Sequence, residues 1–288
     1  SASQSVSLSA SPSASPSVSL SVSPSVSPST SISPSASPSI SPSASPSVSP
    51  SVSPSISPGA NAELYNTSYM ANPNLVAYYR FESGALTTDS SGNGHTLTAI
   101  SDPAEDASGK FGGAVALDGD DAYSATDHAD FKPTGNFTVG FWIKGTVGND
   151  DYVIQSFSRN TNFAGFYVRY TSAGVLSFVS GKNTGTTVDT DYQIVAEEDS
   201  NTLDGAWHFV VGTWDEAKLH LYIDGSEIGT GTVWANAPAY AATNYVRIGC
   251  SNYAGTNERF LQGNSIDDVF LINGTALSAD QIKAIYLG

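Results

Sequence analysis

The sequence predicts an all-β protein: a sandwich of antiparallel sheets with one short C-terminal helix, preceded by an extended, polyproline II-like N-terminal tail. Three observations predict it. Every odd-numbered residue from Ser1 to Ser57 is serine, and eleven of the fifteen prolines fall between Pro12 and Pro58. From Asn74 onward the composition changes to short alternating runs separated by Gly, Asn, Asp and Ser, the pattern of many strands joined by turns. A helical pattern occurs only near the C-terminus, in LSADQIKAIY.

Residues 1–62 read as a low-complexity stalk and residues 63–288 as one folded domain. Proline fixes φ and keeps the preceding residue out of the helical region, so helix is excluded from the stalk. Its missing N–H donors would break a sheet ladder at every second or fourth residue. Polyproline II is what remains, and at about 3.1 Å per residue the segment would reach roughly 180 Å. A two-residue repeat in a threefold helix sends hydroxyls to all sides, and Ser/Pro tracts are typical of O-glycosylated stalks. Ser41, Ser43, Ser45, Ser47, Ser49 and Ser51 are representative acceptors. A bare flexible linker is the alternative. Val, Ile and Leu at eleven even positions favour a modified or packed stalk, because a solubility linker has no need of them.

Within the domain, strands are expected near residues 75–82, 94–100, 113–117, 121–126, 137–144, 151–157, 164–171, 175–180, 187–196, 206–214, 217–224, 226–230, 245–250 and 265–272. Asp224-Gly225, between LHLYI and SEIGT, is the strongest hairpin signal, since both central residues of a type I′ turn need φ > 0. In the final helix Ser278 and Gln281 have capping-box spacing, Asp280 suits the positive helix end, and Ile282, Ile285 and Tyr286 form the buried stripe. So many strands with no long helix mean a sandwich.

Composition narrows the partners. All 11 Lys/Arg and 27 Asp/Glu lie from Glu63 onward, so the domain carries the whole net charge of −16. Such a domain is repelled by nucleic acid and by anionic membrane surfaces. Cys250 is the single cysteine, which rules out an intramolecular disulfide and a thiolate zinc site. The apolar runs are strand-length, so no direct membrane insertion is expected. Residue 1 is Ser, no charged n-region precedes an apolar run, and any export signal would already have been removed.

Eight segments stand in a telling order: LVAYYRFESG, DSSGNGHTLTA, GKFGGAVALDGDDAYS, FTVGFWIKG, DGAWHFVVGTWD, LHLYIDG, YVRIGC and SIDDVFLINGTALSADQIKAIY. Over residues 74–287 the chain resembles the laminin G-like branch of the concanavalin A-like lectin/glucanase superfamily. The resemblance implies a jelly roll of two antiparallel sheets, one concave, with the first and last strands meeting. It implies less about function, because such domains serve sugar binding, adhesion, protein contact and, in some members, hydrolysis.

Hydrolytic relatives resemble one another in a strand bearing Glu-x-Asp-x-Glu, which sets carboxylates on one face of the cleft for a pair about 5 Å apart. No such stretch occurs here. The pairs Asp120-Asp121, Asp150-Asp151 and Asp267-Asp268 are adjacent, and adjacent strand residues point to opposite faces. The four histidines, His95, His128, His208 and His220, lie in separate segments without ligand spacing, and His208 and His220 read as ordinary strand residues. The sequence therefore reads as a binding protein and not an enzyme.

The resemblance further implies a structural calcium ion where the opening Phe81-Glu82 meets the closing Asp267-Asp268-Val269. Glu82, Asp267 and Asp268 are its first candidate ligands, with Asp89 and Asp118 next. A hard cation wants six to eight oxygens, so loop carbonyls would complete the set. Asp89 and Asp118 read better as turn residues bonding their own backbone.

Sugar binding asks for exposed rings beside hydrogen-bonding groups. Trp142, Trp207 and Trp214 lie in framework strands and are expected in the core. Rings in irregular loops are better candidates: Trp234, Tyr240, Tyr253 and Phe163, with Arg159, Asn162, Asn252 and Asn257 as polar partners. The sequence thus predicts an extracellular, surface-displayed module that binds a glycan or other surface polymer. The alternative is a structural subunit of a filament or fibre, a viral fibre included, whose tails self-associate as the shaft.

Overall fold

The computed structural model describes residues 71–146, 149–159, 162–196, 201–241, 245–253 and 255–288, with the side chains of residues 158, 159, 201 and 245 also set aside. The stalk and its candidate serines lie outside the described residues.

Eighteen strands follow in chain order: β1 (Leu75–Tyr79), β2 (Thr98–Ile100), β3 (Ala104–Asp106), β4 (Ala114–Asp118), β5 (Ala122–Ala125), β6 (Phe137–Gly145), β7 (Tyr152–Arg159), β8 (Phe163–Tyr170) and β9 (Leu176–Lys182). The second half holds β10 (Tyr192–Ala196), β11 (Trp207–Trp214), β12 (Lys218–Ile223), β13 (Ser226–Glu227), β14 (Thr232–Val233), β15 (Tyr245–Ile248), β16 (Ser251–Tyr253), β17 (Thr256–Glu258) and β18 (Gln262–Asn273), then helix α1 (Ala279–Leu287). They form two nine-stranded sheets. The first runs β13-β12-β11-β6-β18-β4-β3, with β1 also on β18 and β14 on β12; the second runs β10-β9-β8-β7-β15-β5-β2, with the β16–β17 hairpin joined to β7. Among the described residues, pairing between named strands is antiparallel except for one parallel bridge, Tyr253 to Arg159. The first and last strands meet, β1 against β18, as a jelly-roll sandwich requires.

Alternation along β6 places Phe137, Val139, Phe141 and Ile143 in the core between the sheets, against Phe166, Val168 and Phe178 of the second sheet. The opposite side of β6 is not solvated. Trp142 joins Tyr78, Phe209 and Phe270 in a second apolar layer that α1 covers with Ile282, Ile285 and the half-buried Tyr286. Trp142 lies over the Tyr286 ring at 5.8 Å. Trp142 and Trp214 are buried, as strand residues of the framework should be.

Four short strands, β3, β14, β16 and β17, escaped the sequence pattern, being two or three residues long. Residues 187–191 turn instead of extending: the Asp191 carboxylate accepts the Thr184 hydroxyl at 2.6 Å and the Thr187 N–H at 3.0 Å. Residues 94–97 stay irregular because the His95 N–H donates to Asp89 Oδ2 at 2.9 Å. Among the described residues no helix is long and apolar enough to cross a membrane.

Candidate functional site

Adjacent carboxylates of a strand should face opposite ways, yet Asp267 and Asp268 are both buried, at 0% and 4% exposure. A bulge explains the departure. The pairing of β18 with β6 shifts register between Asp267 and Phe270, and Asp268 sits at φ 49°, so the alternation is broken where the acidic pair stands. The Phe111 N–H donates to Asp267 Oδ2 at 3.0 Å and the Tyr78 hydroxyl to Asp268 Oδ1 at 2.6 Å. Asp267 Oδ1 has no partner. Burial, reinforced by the Asp268 charge, pushes the Asp267 carboxyl up to about 8. Glu82 approaches the same 111–113 loop: its Oε2 accepts the Gly113 N–H at 3.2 Å and its Oε1 pairs with Arg80 at 2.7 Å.

The other two candidate ligands lie apart from this centre. Asp89 is a turn organiser, its carboxylate accepting N–H groups of Tyr78, Ser91 and His95 at 2.9–3.0 Å. These bonds outweigh its burial and hold it below the usual carboxylate range. Asp118 instead groups with Asp120 and Asp121, ligand oxygens within 4.8 Å of one another. Asp118 Oδ1 accepts the Asp120 N–H at 3.4 Å, and Asp121 accepts that of Asp102 at 3.1 Å.

The second sheet presents an outer face of different character. Residues paired directly across antiparallel strands share a face. The register therefore lays Ser124, Arg247, Gln155, Tyr167, Val179 and Ile194 in one row, and Phe157, Gly165, Gly181 and Tyr192 in the next. Tyr152, Phe157, Tyr167 and Val179 form an apolar cluster separate from the inter-sheet core, with Phe163, Tyr192 and Ile194 half-buried against it. Phe163 stacks on Tyr192 at 4.3 Å. Beside the rings the chemistry is polar. Arg247 Nε donates to Asn257 Oδ1 at 3.0 Å, and Asn252 Nδ2 donates to the same oxygen at 3.1 Å. Gln155 is fully buried, and neither its amide nitrogen nor its amide oxygen has a partner. Among the described residues these two rows carry no carboxylate; they offer rings together with amide, guanidinium and hydroxyl groups.

The sequence-predicted ligand residues divide on this geometry. Trp234 is corrected: it is 3% exposed in the inter-sheet core, and its carbonyl accepts Trp214 Nε1 at 2.7 Å. β14 turns the neighbouring Val233 outward, 71% exposed, and drives the indole inward, where no sugar can stack on it. Tyr240 is half-buried, packs on the core and donates its hydroxyl to the Pro133 carbonyl at 3.1 Å, so it acts as a plug. Tyr253 is 41% exposed at the tip of the β16–β17 hairpin. Phe163 belongs to the outer-face cluster, and Asn252 and Asn257 to the hydrogen-bonded chain from Arg247. Asn162 donates to the Asn183 carbonyl at 3.1 Å, and the Arg159 side chain lies outside the described residues. Arg247, Gln155, Tyr167 and Tyr192, which the structure gathers on this face, were not singled out in the sequence. Alternation in YVRIGC does set Arg247 opposite Val246 and Ile248, but only cross-strand register brings Gln155 beside it.

Comparison with known proteins agrees with this architecture. The family model for the concanavalin A-like lectin/glucanases superfamily (Laminin_G_3) matches residues 118–283. No curated protein matches the sequence. Similar solved structures include the binding domain of Paraclostridial Mosquitocidal Protein 1, with a TM-score of 0.58 and 16% identity over 74% of this chain and 52% of that one. Domain 4 of AbnA, a GH43 extracellular arabinanase from Geobacillus stearothermophilus, in complex with arabinotriose, gives 0.54 and 20% identity over 74% of this chain and 98% of that one. The binding domain of botulinum neurotoxin DC in complex with SialylT gives 0.56 and 17% identity over 75% of this chain and 52% of that one. The chain thus spans about half the length of the two toxin binding domains. With the family match covering more than half of the sequence and the first and last strands paired as expected, the chain belongs to the concanavalin A-like lectin/glucanases superfamily, in its laminin G-like branch.

Proposed function

We propose that the protein is an extracellular glycan-binding module, displayed on its Ser/Pro stalk, and that the outer face of the second sheet around Gln155, Arg247, Phe163, Tyr192 and Tyr253 holds the sugar. The observation that carries this reading is Gln155. A buried side-chain amide lacking any partner is costly and needs a reason; Gln155 is covered without ligand, and a sugar hydroxyl that reaches it between Arg247 and Tyr167 as the half-buried Phe163 and Tyr192 rings move aside supplies one. Sugar complexes of domain 4 of AbnA and of the botulinum neurotoxin DC binding domain support the ligand class.

The same reading gives the bulge at Asp267-Asp268 a calcium ion. The residues fit a cation in one respect: two buried carboxylates stand side by side, and the Oδ1 oxygen of Asp267 is orphaned. Asp267 and Asp268 would hold the ion, with Glu82 released from Arg80 as a third oxygen donor. Calcium would supply charge neutralisation and clip β18 to the 111–113 loop, adding binding energy to folding energy.

The test is a glycan array followed by titration calorimetry with the best-retained oligosaccharide. Gln155→Ala and Tyr253→Ala should each weaken binding by about tenfold, roughly 1.4 kcal/mol, while Val233→Ala, on the first sheet, leaves it unchanged. Retention of no glycan, or equal affinity in all three variants, would overturn the reading.

A further inference from the structure

His95, from the irregular segment before β2, converges with His128 and Asp130 of one short helical turn, outside both sites. His95 Nε2 lies 2.9 Å from Asp130 Oδ2, and His128 Nδ1 lies 3.1 Å from the same oxygen. The three ligand atoms all fall within 4.8 Å of one another, and the two imidazole rings are 4.9 Å apart. We propose that His95, His128 and Asp130 form a surface site for a divalent transition-metal ion of the Zn2+ class.

The ligand set selects the ion. Calcium and magnesium take oxygen donors, whereas two imidazoles and one carboxylate suit zinc, which binds through three protein ligands with a fourth position open to solvent. Two of the three spacings are nearly correct already, and the two imidazole nitrogens lie within 4.8 Å of each other. Metal–ligand bonds of about 2.0–2.2 Å in a tetrahedron separate ligand atoms by roughly 3.3 Å. The present 2.9 and 3.1 Å separations therefore need to open by only a few tenths of an ångström. His128 also caps the short helical turn Ala129–Phe131 by accepting the Asp130 N–H at 3.3 Å, a long bond that metal ligation at Nδ1 would release.

The site is held from behind. The His95 N–H is fixed by Asp89, its carbonyl accepts the Tyr79 hydroxyl at 2.7 Å, and its ring packs on Phe131 at 4.6 Å. The Asp130 carbonyl accepts Asn273 Nδ2 from the end of β18 at 3.0 Å. Such outer partners orient metal ligands and limit the entropy lost on binding. The His95 side chain is only 12% exposed, while those of His128 and Asp130 are 54% and 45% exposed, so the free coordination position faces water.

Untagged full-length protein, stripped with chelator and returned to excess calcium, is titrated with Zn2+ alone by calorimetry. One equivalent should bind. His95→Ala and His128→Gln should each weaken it by about tenfold or more, while His208→Gln with His220→Gln, which removes the other two histidine–carboxylate groups, leaves it unchanged. His128 is exposed enough that its variant should keep the wild-type far-ultraviolet spectrum despite the lost cap, which separates lost ligation from lost fold. X-ray absorption of the zinc form should show two imidazole nitrogens, and one in His128→Gln. Absence of zinc uptake, or uptake that survives the combined His95 and His128 substitution, would overturn the proposal without touching the glycan or calcium readings.

Discussion

His208 carries a readable acid–base signature. Its ring lies between two carboxylates, Asp224 at 2.8 Å and Asp204 at 3.0 Å. Burial opposes the charged form, but the two acidic partners outweigh it and hold the imidazole above its ordinary value of 6.5. A raised histidine contributes stability that is complete below the unfolded value and disappears as pH rises through the folded one. The difference in melting temperature between wild type and His208→Gln should therefore be largest below pH 6.5 and shrink toward alkaline pH; a constant difference would contradict the assignment. At the bulge, Asp267→Asn removes a ligand of the proposed calcium ion. Chelator should lower the melting temperature of wild type and leave that of Asp267→Asn unchanged. Side-chain chemistry was legible in the sequence where a motif fixed the neighbours, as with Asp224 in its turn. It was not legible for Trp234, because an irregular segment has no periodicity to say which residue faces the core.

Helix α1 and the hairpin before β13 followed their local signals. Ser278 accepts the Gln281 N–H while the Gln281 side chain accepts the Ser278 N–H, the reciprocal capping box that the spacing announced. Ser278→Ala should cost about 1 kcal/mol in urea unfolding. In the hairpin, Asp224 and Gly225 adopt φ 52° and 75°. A Cβ at Gly225 would meet the Lys283 Cα at 3.1 Å, so the turn is pressed against the helix as well as left-handed. Gly225→Ala should therefore exceed the roughly 1 kcal/mol of an unhindered left-handed site. The bulge in β18 carried no such signal. A one-residue insertion depends on what the partner strand offers, and β6 lies more than a hundred residues earlier in the chain.

The two sheets are locked through close inter-sheet contacts. Phe178 of β9 is fully buried, lies edge-on to Phe137 at 6.0 Å, and stands so near β11 that a Cβ at Gly212 would come within 2.9 Å of its ring. Phe178→Ala should cost about 3–5 kcal/mol, as large-to-small aromatic changes in a core do. Near-ultraviolet and far-ultraviolet signals should remain coincident during its unfolding, since the largest core is shared by both sheets. The outer face of the second sheet is likewise a property of the whole sandwich. Its rows draw residues from β5, β15, β7, β8, β9 and β10, and the hairpin carrying Asn252 and Asn257 reaches Arg247 only after β7, β15 and β16 have assembled.

The sequence by itself determined the all-β class, most strand positions, the tight turn, the capped helix and the family, because alternation, turn residues and caps act over two to four neighbouring positions. Only the tertiary structure decided which polar groups meet. It buried Asp267 beside Asp268, left Gln155 without a partner, moved Trp234 inward and brought His95 to His128. Those outcomes follow from register between strands distant in the chain, which a one-residue slip would reverse and no local pattern encodes.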